Sequence, residues 1–199
     1  MMPTFKELLE HALASPGNAR DEAKWVMTFD LPRDLRWSIL AIVVLLNTIL
    51  TFTGAVIEGP TAPFMFQDIL MRPFLLAVVQ MSGMVITVFL VFWVGQMAGG
   101  HGNFGDGITL IAWLQFIMTC LQAIQVIAAL TVPPLAGIIA VVAMGLMFWL
   151  MTNFIAEMHG FKSLTKVFVM IIATIFAAAF AMSFILTLIG VSVPTAGAV

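Results

Sequence analysis

Five long apolar stretches, set apart by short polar breaks, decide what this chain can become. They cover residues 39–57, 73–98, 108–130, 135–156 and 167–189. Crossing a hydrocarbon core about 30 Å thick takes about 20 apolar residues of α-helix, and each stretch reaches or approaches that length. Composition removes the soluble alternative: hydrophobic residues make up 62% of the 199 and charged residues only 9%, too few charges to cover a water-facing globule. A chain this short leaves much of its surface exposed, so lipid must be the solvent for that surface. Backbone groups in a bilayer must pair internally, and runs this continuous lack the alternation of a membrane barrel. The expected fold is all-α, a polytopic membrane bundle of five transmembrane helices preceded by short amphipathic N-terminal helices.

Charge placement orients the bundle. Lys6, Arg20, Lys24, Arg33, Arg36, Lys162 and Lys166 share one side of this topology, and Arg72 alone falls on the other. The positive-inside rule then expects a cytoplasmic N-terminus and, after five crossings, a C-terminus outside. Three regions follow: a cytoplasmic amphipathic segment at 1–32, a membrane domain at 33–190, and a short non-cytoplasmic tail at 191–199. Residues 1–30 hold no uninterrupted apolar run, so the first crossing is expected to act as the insertion signal.

Two short helices are expected ahead of the bundle. Phe5, Leu8, Leu9, Ala12 and Leu13 recur at helical spacing. Ser15-Pro16-Gly17 breaks that run, and Asn18 is positioned to cap a second helix extending through Trp25 and Met27. Such helices either lie in the membrane interface or pack on the cytosolic face of the bundle. The connections are short: 58–72, expected to hold an interfacial helix; a glycine-rich loop from Gly99 to Gly107; a tight Val132-Pro133-Pro134 turn; and a return through Glu157, His159 and Lys162.

Two constellations carry polar chemistry. Gln115, Thr119, Gln122 and Gln125 recur at helical spacing in the third crossing, where an unpaired amide in hydrocarbon is costly. They imply hydrogen bonds to groups such as Asn47, Gln80 or Gln96, or else a hydrated route for a small solute. At the cytoplasmic face, Asn153, Glu157 and His159 follow one helix, and His101 and Asp106 lie in the glycine loop. Drawn together they suggest a metal or proton-relay site; read separately they face water, with Glu157 paired to Lys162 or Lys166. No spacing here matches a metal-ligand motif, the glycine loop lacks the Lys-Ser/Thr ending of a phosphate loop, and no basic patch points to nucleic acid. No catalytic residue, metal or cofactor is therefore expected. Cys120, the only cysteine, sits inside an apolar run and reads as a small core residue.

The whole pattern resembles the Yip1-domain membrane proteins over about residues 33–190. The resemblance rests on five crossings, on Gly99-Gly100-x-Gly102-x-Phe104 between the second and third, on Trp113 within the third, and on the return Glu157-Met158-His159-Gly160-Phe161-Lys162-Ser163. Relatives often carry a basic residue in the loop and a proline in the third crossing; here His101 and Asn103 occupy the loop, and Gln115-Phe116-Ile117-Met118 contains no proline. The resemblance is to the compact bacterial form, which implies a multi-pass protein of the bacterial inner membrane with a periplasmic C-terminus. Eukaryotic relatives work with small GTPases in vesicle traffic, a partner not carried over. The expected role is a non-enzymatic scaffold or membrane-organising component in contact with membrane lipids, other membrane proteins or further copies of itself. Gly99, Gly100, His101, Gly102, Phe104, Glu157 and His159 are its candidate partner-binding residues. The alternative is a small transporter or channel component using the Gln115, Thr119, Gln122 and Gln125 face.

Overall fold

The computed structural model describes residues 3–59 and 68–188. Most of the 58–72 connection and the whole 191–199 tail lie outside the described residues; Asp68–Leu70 is helical, and Asp68 pairs with Arg72 at 3.1 Å. Among the described residues seven longer helices follow in order: α1 (Phe5–Ala14), α2 (Ala19–Met27), α3 (Arg33–Glu58), α4 (Pro73–Met97), α5 (Phe104–Thr131), α6 (Pro133–His159) and α7 (Leu164–Leu188). The last five are long and apolar enough to cross a membrane, and the fold is the five-span all-α bundle that the apolar runs demand.

Four of the five spanning helices start earlier than their apolar runs, α3 by six residues and α5 by four, and α4 starts with its run at Pro73. Hydrogen bonding continues through polar ends that hydropathy does not count. Local chemistry fixes those ends. Pro73 and Pro133 occupy first-turn positions, where a missing N–H costs little. The Asn103 side chain accepts from the Gly105 N–H at 2.9 Å, opening α5. At the end of α6, Gly160 turns left-handed (φ 74°) and the Phe161 N–H reaches back to the Ala156 carbonyl at 2.8 Å, closing the helix in a Schellman-type turn. Thr4 and Glu7 form a capping box on α1. Asn18 stands at the N-cap of α2, but its side chain makes no capping bond, so that expectation fails: the turn is set instead by the Asn18 N–H bonding to the Ala14 carbonyl at 3.1 Å.

Burial identifies the hub. Within its most apolar window, 44% of α5 is buried, against 6% of α7, so α5 runs through the middle and α7 along the flank. α3 and α6 pack most extensively on α5, and α2 lies across α5 and α6. The core is concentrated where the basic residues gather. Leu40, Val44, Val88, Ile108, Leu150, Ala156 and Val167 are all fully or almost fully buried, whereas Ile124, Ile127, Leu130, Ile138 and Val141, toward the other end, are exposed. Those outer side chains form the surface that only hydrocarbon can cover.

Candidate functional site

The glycine loop and the end of α6 build one unit. Gly99 has φ 89°, a left-handed turn open to glycine, and it reverses the chain at the end of α4. Gln96 then donates from Nε2 to the Gly102 carbonyl at 2.8 Å, the Gly100 N–H bonds the Gly95 carbonyl at 2.9 Å, and the His101 N–H bonds the His159 carbonyl at 3.3 Å. The His159 side chain fills the space so enclosed and is 2% exposed. A Cβ at Gly100 would stand 2.6 Å from His159 Cβ, one at Gly102 2.9 Å from Cδ2, and one at Gly95 would overlap the ring. Three glycines are thus required for room rather than for flexibility.

Inside this cradle, His159 Nδ1 pairs with the Ile155 carbonyl at 3.2 Å. Its Nε2 has no hydrogen-bond partner among the described residues. Phe161 stacks on the imidazole, with centroids 5.6 Å apart and planes 14° apart. Arg20 of α2 donates to the Phe161 carbonyl at 3.1 Å, so an N-terminal helix fastens the same turn. Phe104, half-buried, packs among Trp37, Phe89 and Phe92. His101 and Asn103 remain exposed.

The charged residues at this end are paired in separate places. Arg36 Nη1 lies 3.1 Å from Asp106 and 3.1 Å from Thr109 Oγ1, and its Nε donates to the Leu31 carbonyl at 2.9 Å. Gly105 leaves space for that guanidinium: a Cβ there would stand 2.9 Å from Nη1. Glu157 faces Lys24 at 4.0 Å, not the expected Lys162 or Lys166, because α2 lies over the end of α6. His11 pairs with Glu22 at 2.7 Å and stacks on Trp25 with centroids 3.6 Å apart. Hence His101 and His159 meet through their backbones, while Asp106 and Glu157 are paired elsewhere. Among the described residues no group of three or more His, Cys, Asp or Glu could hold a metal ion.

The roles of Arg20, Lys24 and Gly95 escaped the sequence reading. Gly95 left a trace in its small-residue spacing with Gly99, but its neighbour is a histidine ring rather than another helix.

The polar stripe of α5 is tied into the bundle. Gln122 accepts from Asn47 and donates to Thr51 Oγ1 at 2.9 Å, while Gln80 accepts from Thr48 at 3.0 Å and donates to Thr51 at 3.4 Å. The network therefore joins α3, α4 and α5. Thr119 donates to the Gln115 carbonyl at 2.7 Å, and Gln115 itself is buried. Gln125 is half-buried. Gln96, offered as a partner for this stripe, serves the glycine loop instead.

No curated protein and no solved structure matches the chain. Residues 12–186 match the Yip1 domain, a span that takes in α2 and all five crossings to within two residues of the end of α7. With the glycine loop, the histidine it encloses and the five spanning helices all inside that match, this multi-pass membrane protein belongs to the Yip1-domain family.

Proposed function

We propose that this protein is a non-enzymatic membrane scaffold of the bacterial inner membrane, and that the face built by its glycine loop and the α6–α7 return docks another membrane protein. One observation carries the reading. Most of the side chains at this end that are suited to acid–base work are engaged in holding helices together: Arg36 with Asp106, Lys24 with Glu157, His11 with Glu22, and His159 in its glycine cradle. What is left outward is a braced surface that includes Gly99, His101, Asn103 and Lys162. Gly100, Gly102, Phe104 and His159 set the shape of that surface, and the exposed residues touch the partner. Seven of the eight basic residues lie at this end, which supports a cytoplasmic N-terminus, a cytoplasmic docking face and a periplasmic C-terminus.

Photo-crosslinking in native membranes tests the reading. A photoreactive residue in place of His101 or Asn103 is expected to trap a discrete protein adduct, and the same residue in place of Phe176 on lipid-facing α7 is not. Adducts no different between the two sites would overturn the docking face. An adduct of twice the chain mass would make the partner a second copy. The transport alternative relied on polar side chains of α5, and Gln122 is spent on Asn47 and Thr51.

A further inference from the structure

A groove of about 280 Å³ lies between α4 and α7, floored by Met151 and Ile155 of α6. Thr87, Val91 and Val94 line one wall, and Met170, Thr174 and Ala178 the other. Its two hydroxyl groups are turned back on their own helices: Thr87 donates to the Gly83 carbonyl at 2.8 Å and Thr174 to the Met170 carbonyl at 2.7 Å. The walls thus present hydrocarbon, and a polar solute would lose its hydration without replacement. From Thr87 to Val94 the groove is about 10 Å long. That length and an apolar lining suit an alkyl chain.

The groove also has a charged end. Lys166, Met170, Thr174 and Ala178 are spaced four apart on α7 and so share one stripe. Lys166 therefore stands one turn beyond the wall, toward the basic end of the bundle. The opposite wall ends the same way, at Ala98, one turn past Val94. Lys166 Nζ closes the gap, 3.4 Å from the Ala98 carbonyl and 5.3 Å over the Phe161 ring. Among the described residues, neither Lys166 nor Lys162 pairs with a carboxylate. An ammonium group without a carboxylate partner, at the headgroup end of an apolar groove, is complementary to a lipid phosphate.

We propose that the α4–α6–α7 groove holds one acyl chain of an anionic phospholipid from the leaflet at the basic end, with the lipid phosphate on Lys166. The site goes beyond the docking role of the glycine loop and stands without it.

Native mass spectrometry of the detergent-purified full chain tests it, with phosphatidylglycerol and phosphatidylcholine of matched chains as probes. Wild type is expected to retain phosphatidylglycerol preferentially. Lys166→Gln should weaken that lipid about fivefold, the equivalent of about 1 kcal/mol for one basic residue at an anionic surface, and weaken phosphatidylcholine less, since its choline offsets the charge of the same phosphate. Ala178→Phe should fill the groove and cost both lipids, and Thr87→Phe should do the same from the opposite wall. Each variant is read only as a monodisperse, folded species, and the two blocking variants guard against one failing to fold. Undiminished phosphatidylglycerol retention by Lys166→Gln, or by both blocking variants, would overturn the proposal. Preference lost in Lys162→Gln but kept in Lys166→Gln would also overturn it, by placing the phosphate elsewhere.

Discussion

The imidazole of His159 rests directly on the backbone at Gly95, so the last residue of α6 locks against the last turn of α4 with no side chain between them. Gly95→Ala should therefore destabilise the protein by about 1–3 kcal/mol, the usual cost of overpacking, although alanine is otherwise the better helix former by about 1 kcal/mol. In a His159→Ala background the same change should turn neutral or stabilising. Thermal unfolding of the four proteins in detergent completes the cycle. Equal costs in both backgrounds would mean that Gly95 is needed for something other than the ring.

Arg36 and Asp106 join the starts of α3 and α5 through a largely buried guanidinium, 11% exposed, and a carboxylate 26% exposed. Removing one partner of a buried pair costs about 3–5 kcal/mol; partial exposure of Asp106 lowers the expectation for Arg36→Met to about 2 kcal/mol. The double change Arg36→Met with Asp106→Leu should recover most of that loss. If the double variant is as unstable as the sum of the singles, the bond to the Leu31 carbonyl rather than the ion pair holds the helices.

The five spans were legible because bilayer thickness imposes a run length that no soluble fold requires. The end of each helix was less so, since polar turns such as 33–38 and 104–107 continue the hydrogen bonding beyond the apolar run. The glycine loop announced itself by composition, but its purpose did not. Glycine at 95, 100 and 102 answers to a histidine some sixty residues away in sequence, and such a pairing is invisible until the helices are placed. Likewise Glu157 was assigned a partner from its own loop, whereas α2 brought Lys24 across the bundle. Asn47 was nameable as a partner of the α5 stripe because hydrocarbon leaves an amide few alternatives, whereas Gln80 bonds Thr48 and Thr51 and meets the stripe only through Thr51.

That confinement fixes the expected size of the next effect. Gln122→Leu should cost about 0.6 to 1.7 kcal/mol, the range for hydrogen bonds between membrane helices, with a similar loss for Asn47→Leu and little further loss in the double variant. Chemical unfolding in mixed micelles measures this. A solute flux abolished by Gln122→Leu at unchanged stability would instead favour a hydrated route.

The capping box gives α1 a dependence on pH. Bonds from the Thr4 backbone and hydroxyl hold the Glu7 carboxyl below its ordinary value of 4.5. A depressed folded value means that the contribution is complete above 4.5 and is lost as pH falls through the folded value. Amide exchange in the first turn of α1 should therefore speed up, relative to its intrinsic rate, on acidification below about 4.5. Glu7→Gln should abolish that transition, whereas Thr4→Ala should only reduce it because the backbone N–H of residue 4 remains; a transition that survives Glu7→Gln would belong to another group.

α1 packs on one side only. Leu8 and Ala12 face the core, whereas Phe5 and Leu13 are 67% and 81% exposed. The turn after it is held beside the bundle, not above it, since Trp149 Nε1 donates to the Pro16 carbonyl at 3.2 Å and Trp149 lies about 15 Å along α6 from His159. At that depth the exposed Leu13, beside the turn, is expected to meet acyl chains, and Glu10, paired with Lys6 at 3.5 Å, to meet water. A probe on Leu13→Cys, in a Cys120→Ala background, should be quenched by brominated lipid and shielded from aqueous iodide. A probe on Glu10→Cys should behave in the opposite way. Iodide access at both positions would place α1 in the cytosol and leave packing against α2 as its sole anchor.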